Sequence, residues 1–105
     1  MKVDVDATLL EAVKALAEPL RLRIVQLLAA EELCVCHLVE ELDVPQPLVS
    51  HHLRVLRDAR LVESSKYRYW TYYRLRTEPL EAAGRELVSL ASAAPSNGEQ
   101  RRPCC

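Results

Sequence analysis

Four cysteines have the widest chemical latitude in this 105-residue chain, and they come as two tight pairs, Cys34-Val35-Cys36 and Cys104-Cys105. Thiolates are soft ligands that favour thiophilic ions over oxygen-seeking ones. On an ideal helix, residues two apart project about 200° from each other. Cys34 and Cys36 therefore cannot grip one small ion within a regular helix. Either the pair lies at a frayed helix N-terminus, or binding unwinds the first turn. A helix N-terminus would also lower both thiol pKa values. The two cannot share one buried face as small apolar residues. Two donors are too few for tetrahedral zinc. A three-thiolate ion fits better, with the third sulfur from Cys104 or Cys105 of the same or a partner subunit; otherwise the vicinal pair forms its own site or is inert. His37 reads as an exposed helix residue rather than a ligand.

A second set of polar side chains follows at once, in the run Gln46-Pro47-Leu48-Val49-Ser50-His51-His52-Leu53-Arg54. Gln46 can pair bidentately with adenine, Ser50 and His51 can donate to bases or phosphates, and Arg54 can read guanine or hold a phosphate. Lys66 and Arg68 flank Tyr67 in a basic turn suited to neutralising phosphates. Tyr67 either adds a hydroxyl contact there or is a stray exposed aromatic. His52 reads as a packed, hydrogen-bonded histidine. Trp70, Tyr69, Tyr72 and Tyr73 read as hairpin and core packing, not a stacking platform.

Charge supports this division. Residues 1–45 carry four basic and nine acidic side chains, residues 46–76 seven basic and two acidic, and residues 77–105 three basic and four acidic. The whole chain is at −1, yet its middle third is at +5. That distribution, not the overall balance, points to nucleic acid.

The elements that must position these groups follow from apolar spacing. A first helix is expected from Asp6 to Ala17, with a Leu9/Val13/Leu16 stripe and a capping box from Thr8 and Glu11. A second runs from Pro19 to about Ala30, burying Leu20, Ile24, Leu27 and Leu28. A third spans Leu33 to Leu42 and stops at Asp43-Val44-Pro45. The fourth runs from Gln46 to about Arg60, with Val49, Leu53 and Leu56 inward. Leu61–Ser65 and Tyr69–Leu75 read as strands around the turn Lys66-Tyr67-Arg68. A last helix opens at Thr77-Glu78-Pro79, with Leu80, Ala83, Leu87 and Leu90 on one seam. This order is mainly α with a β-hairpin wing: a winged helix-turn-helix whose recognition helix suits the major groove. The apolar stripes on the first and last helices are either ordinary core or the interface of a homodimer. Residues 1–92 form the DNA-binding and dimerisation domain, and residues 93–105 a flexible tail ending in Cys104-Cys105.

Composition excludes several classes. Half of the residues are apolar, so a folded core is expected. With two glycines, Gly84 and Gly98, no phosphate-binding loop or dinucleotide fingerprint can be built. No apolar run approaches a membrane span and no signal-peptide core is evident, so a cytoplasmic chain with reduced thiols and no membrane partner is expected. Ser50, His51 and Asp58 lie on one helix and make no hydrolytic triad. No organic cofactor and no enzymatic activity are expected.

The segments Glu32-Leu33-Cys34-Val35-Cys36, Gln46–Leu53 and Trp70–Leu75 together resemble the ArsR/SmtB family of winged-helix metalloregulatory repressors, most of all its arsenic-responsive members. The resemblance covers residues 7 to about 76. It implies a homodimer that represses its operator and leaves the DNA when As(III) or Sb(III) binds, with Cys34 and Cys36 as ligands. The arsenic-sensing pattern commonly carries a third cysteine where this chain has Val39, which makes Cys104-Cys105 the candidate source of a third sulfur. The family's zinc sensors use Asp, His and Glu ligands on the last helix. Leu80–Ala91 has neither histidine nor aspartate, so that site is absent. The same fold sensing Cd(II), Pb(II) or thiol oxidation is an alternative. An arsenic-handling enzyme or metallochaperone is a further one, disfavoured by the basic helix and hairpin.

Overall fold

The computed structural model describes residues 2–96 and 100–104. Its elements are α1 (Ala7–Leu16), α2 (Pro19–Leu28), β1 (Leu33–Cys34), α3 (Val35–Leu42), α4 (Gln46–Asp58), β2 (Val62–Tyr67), β3 (Trp70–Leu75) and α5 (Thr77–Ala93). This is the winged helix-turn-helix order, with one addition. The wing is a three-stranded antiparallel sheet in the order β1-β3-β2, not a two-stranded hairpin. The added strand is two residues long and pairs Leu33 with Tyr73 and Cys34 with Tyr72.

The core gathers Ile24 and Leu28 of α2, Leu38 of α3, Val49, Leu53 and Leu56 of α4, and Leu61 and Val62 leading into the wing. Each of the helices α2, α3 and α4 thus turns one apolar stripe inward. On α1 the buried residues are Ala12 and Ala15, and on α5 Ala83. Small side chains at these positions let the two helices pack closely. That displaces the expected α1 stripe: Leu9 and Leu16 are half-buried, while Val13 is 41% exposed.

The helix ends show how local chemistry sets the boundaries. Asp6, not Thr8, caps α1, its carboxylate accepting the Thr8 backbone N–H at 2.9 Å. Glu18 does the same for α2, accepting from Arg21 N–H at 2.8 Å, with Pro19 in the first turn. Asp43 ends α3 in the left-handed region at φ 53°. At the end of α4 the Leu61 N–H reaches the Leu56 carbonyl and the Arg60 N–H reaches that of Arg57. With Arg60 at φ 63°, this is a Schellman closure built without glycine.

The wing turn also differs from expectation. Tyr67 pairs with Trp70, so the two-residue loop is Arg68-Tyr69 and Lys66 belongs to β2, opposite Thr71. Arg68 adopts φ 59°, which places a positive φ at the first central position of the turn. Tyr69 is 97% exposed and Trp70 more than half exposed, so neither packs into the core as expected. Among the described residues no helix is long and apolar enough to cross a membrane.

Candidate functional site

The short strand β1 sets up the cysteine corner. Pairing with β3 holds Cys34 extended, at φ −92° and ψ 168°, so it is the N-cap of α3 and not its first turn. Cys36 is the second helical residue. The divergence of side chains two apart applies only within a helix, and here the two Sγ atoms lie 2.6 Å apart. The expectation that Cys34 sits inside the third helix is corrected by this strand, and the helix need not unwind for both sulfurs to face one point.

His37 completes the corner. Its Nδ1 accepts the Cys34 backbone N–H at 3.1 Å and lies 3.2 Å from Cys34 Sγ. The Cys34 sulfur in turn accepts the backbone N–H of His37, so the two residues form a capping box with sulfur and imidazole in place of hydroxyl and carboxylate. In this bond the acceptor is the in-plane lone pair of Nδ1. The ligand atoms of Cys34, Cys36 and His37 all lie within 4.8 Å of one another. From the sequence alone His37 reads as an exposed helix residue rather than a ligand. The signal that could have found it is the spacing of three from Cys34, the N-cap to N3 spacing of a capping box.

The two thiols differ electrostatically. Burial opposes charge on Cys34, but the Cys36 thiol and the backbone N–H groups of His37 and Cys36 donate to its sulfur and together lower its pKa. Cys36 moves the other way: its hydrogen bond to Cys34, and then desolvation, raise it. The expectation that the helix terminus lowers both thiols therefore holds for Cys34 alone. Cys34 is buried within the corner, while exposed Cys36 offers the approach from solvent. Cys104 is a free, exposed thiol that does not belong to the three-residue cluster, and Cys105 lies outside the described residues.

The second surface lies on α4 and the wing. Gln46, His51 and Arg54 are exposed on α4 and Ser50 is half-buried, while Val49, Leu53 and Leu56 anchor the opposite face. Lys66 and Arg68 are exposed at the far end of the wing, with the Arg68 guanidinium 5.7 Å from the centre of the Tyr67 ring. His52 is buried: its Nδ1 is 3.2 Å from an Arg21 guanidinium nitrogen and 3.7 Å from Glu18 Oε2. Arg21 also donates to the Ala15 carbonyl at 2.7 Å, so this network ties α4 to α2 and to the end of α1. The cysteine corner reaches both halves of the second surface, because α3 packs on α4 and β1 pairs with β3 of the wing.

Comparison with known proteins agrees with this architecture. Residues 18–64 match the family model described as bacterial regulatory protein, arsR family. The arsenical resistance operon repressor of Staphylococcus xylosus is 39% identical over 74 residues, covering 70% of this chain and 71% of that protein. A transcriptional repressor SmtB homolog of Synechocystis sp. is 43% identical over 75 residues, covering 71% of this chain, although the match spans only 57% of that relative. Among solved structures, an ArsR-like transcriptional regulator from Rhodococcus sp. RHA1 superposes with a TM-score of 0.75 at 27% identity, over 82% of this chain and 81% of that one. Fold, element order and sequence thus agree, and this chain belongs to the ArsR/SmtB family of winged-helix transcriptional repressors, regulators rather than enzymes.

Proposed function

We propose that this chain is a homodimeric repressor that holds operator DNA through α4 and the wing, and that As(III) or Sb(III) releases it by binding Cys34 and Cys36. The observation that carries the reading is the convergence of both sulfurs at the N-cap of α3, the helix packed on the recognition helix. Gln46, Ser50, His51 and Arg54 face the major groove, and Lys66 and Arg68 hold phosphates. Trivalent arsenic takes three sulfurs, and Cys104 or Cys105 supplies the third, from the same or the partner subunit. A relative that is an arsenical resistance operon repressor supports this choice of ion.

The dimer forms through α1 and α5. Leu10 and Val13 on α1, and Leu87, Val88 and Leu90 on α5, are between 40% and 64% exposed within one subunit. A second copy covering these faces removes them from water, which is a favourable association term at roughly 25 cal/mol per Å². Residues 1–92 then serve as the DNA-binding and dimerisation domain, and residues 93–105 as the arm that brings a thiol to the site.

The test is fluorescence anisotropy of the reduced protein on DNA from upstream of its own gene, titrated with arsenite at fixed salt. Tight binding released by a few equivalents of arsenite is the expected result. Binding that ignores arsenite would exclude As(III) as the inducer. Replacing Cys104 and Cys105 with serine should raise the arsenite concentration needed; an unchanged titration would make the tail a bystander.

A further inference from the structure

The junction of α1 and α2 leaves one backbone carbonyl without its helical donor. The residue four places after Ala15 is Pro19, which has no N–H to give. Half-buried Arg21 supplies the missing bond, its Nε donating to the Ala15 carbonyl at 2.7 Å. The same guanidinium reaches α4, with Nη1 3.2 Å from Nδ1 of buried His52. A guanidinium only donates, so the ring nitrogen is the acceptor in that contact. The Glu18 carboxylate accepts the Arg21 backbone N–H at 2.8 Å and stands 3.7 Å from the same ring nitrogen. Among the described residues, Arg21 is the one side chain hydrogen-bonded to both α1 and α4.

The rest of the seat of α4 is apolar, made by Val49, Leu53 and Leu56. Apolar burial is non-directional, so it holds the helix down but opposes small rotations and slides only weakly. Two hydrogen bonds from one planar, pre-organised fork are directional. Their other end is α1, the helix whose Leu10 and Val13 stand exposed on the face proposed for the second subunit. In a two-fold dimer the recognition helices must meet half-sites about 34 Å apart, one turn of DNA. Symmetry doubles any misplacement: a shift of about 1 Å in each α4 becomes about 2 Å between them, more than half of the ~3.4 Å rise per base pair. We infer that Arg21 is a positioning residue that fixes α4 against the dimerisation helix α1 and so sets the half-site spacing that the dimer accepts. It acts through Ala15 and His52, not through a contact with DNA.

The test uses the reduced full chain, free of added ions, on the operator mapped by footprinting upstream of its own gene. That operator is made again with one base pair inserted or removed between the half-sites. In the wild type the change of spacing should weaken binding by roughly tenfold, about the effect of one mismatched base pair. In Arg21→Met, which keeps the apolar stem and loses both bonds, that ratio should fall toward one, while the dimer persists in sedimentation. A loss of stability alone lowers the active fraction on every operator alike and leaves the ratio unmoved. His52→Leu, which removes the acceptor, should behave as Arg21→Met does; His52→Gln, which keeps one in its side-chain carbonyl, should restore the preference. That second pair decides the matter even where Arg21→Met does not fold. A wild-type ratio in Arg21→Met, equal ratios in His52→Leu and His52→Gln, or a wild type that binds the operator but ignores spacing would overturn the assignment. The inference rests on the dimeric, DNA-binding role proposed above, and the two fail differently. A wild type that is monomeric or binds no operator sinks that role and the inference with it; a wild type that keeps its spacing preference beside an Arg21→Met variant that also keeps it sinks the inference alone.

Discussion

The proposed reading face on α4 and the proposed sensing corner at Cys34 are built on opposite principles. The first is a 13-residue helix whose inner face is wholly buried, with Val49, Leu53 and Leu56 each at 1% exposure or less. Its outer side chains are placed by helical geometry and can change without disturbing the core. The second rests on the core through Leu33 and Leu38, but its ligand atoms are fastened by few bonds. A two-residue strand, a capping box and one exposed thiol hold it, and Leu38 is the buried anchor of its eight-residue helix. Rigid presentation suits base reading, where a misplaced donor loses its partner. Sparse fastening suits sensing, because ion binding has only a few hydrogen bonds to displace before the corner moves. The two are joined by α3 on α4 and by β1 on β3.

The sharpest way to break this contrast is to weaken the rigid half. Leu53→Ala should cost about 2–5 kcal/mol of stability through lost burial and the cavity left behind. Urea unfolding measures it, and a cost below about 1 kcal/mol would show that α4 is not the anchor described. Changes on the outer face should leave stability alone and act on DNA. Arg54→Ala should weaken operator binding by about 1–3 kcal/mol while arsenite binding is retained. Lys66→Ala should weaken all sequences alike and lower the salt slope by about one, as the proposed phosphate contact requires. Equal operator affinity at matched salt would remove either residue from the interface.

A smaller effect tests the network beneath the reading face. Burial lowers the pKa of His52, the neighbouring Glu18 carboxylate opposes this, and Arg21 and His51 add to it. The folded state therefore favours the neutral ring, whose Nδ1 faces the Arg21 guanidinium. Its stabilising contribution is complete above the ordinary histidine value of about 6.5 and is lost as pH falls through the lowered folded value. The urea midpoint should drop between pH 7.5 and 5.5 by more in the wild type than in His52→Gln. Identical profiles would mean that His52 carries no linkage.

The contrast also explains what could be read from the sequence. Apolar periodicity over ten or more residues marked α1, α2, α4 and α5, and β-branched and aromatic runs marked β2 and β3. The outer face of α4 followed once Val49, Leu53 and Leu56 were placed inside. The corner was not legible in this way. β1 exists because Leu33 and Cys34 meet Tyr73 and Tyr72, a pairing nearly forty residues away that no local pattern announces. Cysteine is not a favoured N-cap, so the sequence pattern runs the helix back to Leu33 and lets the sulfurs meet only by fraying or unwinding its first turn. The pairing of His37 with Cys34 exists only because Cys34 is the N-cap and not a helical residue. The wing turn lies further along the chain than the sequence pattern suggests, because Arg68 takes a positive φ without the glycine that normally signals it. On α1, Val13 promised more burial than Ala12 and Ala15, but small residues won because α5 lies close.

The central claim is that ion capture by Cys34 and Cys36 is what lets go of the DNA. The most direct measurement sets the wild type beside the Cys34→Ser, Cys36→Ser double variant, both reduced, on the same fluorescent operator fragment at fixed salt, with arsenite added stepwise. The account predicts that both proteins bind the fragment alike and that only the wild type is released. Release of the double variant over the same arsenite range would place the sensor elsewhere and contradict the account.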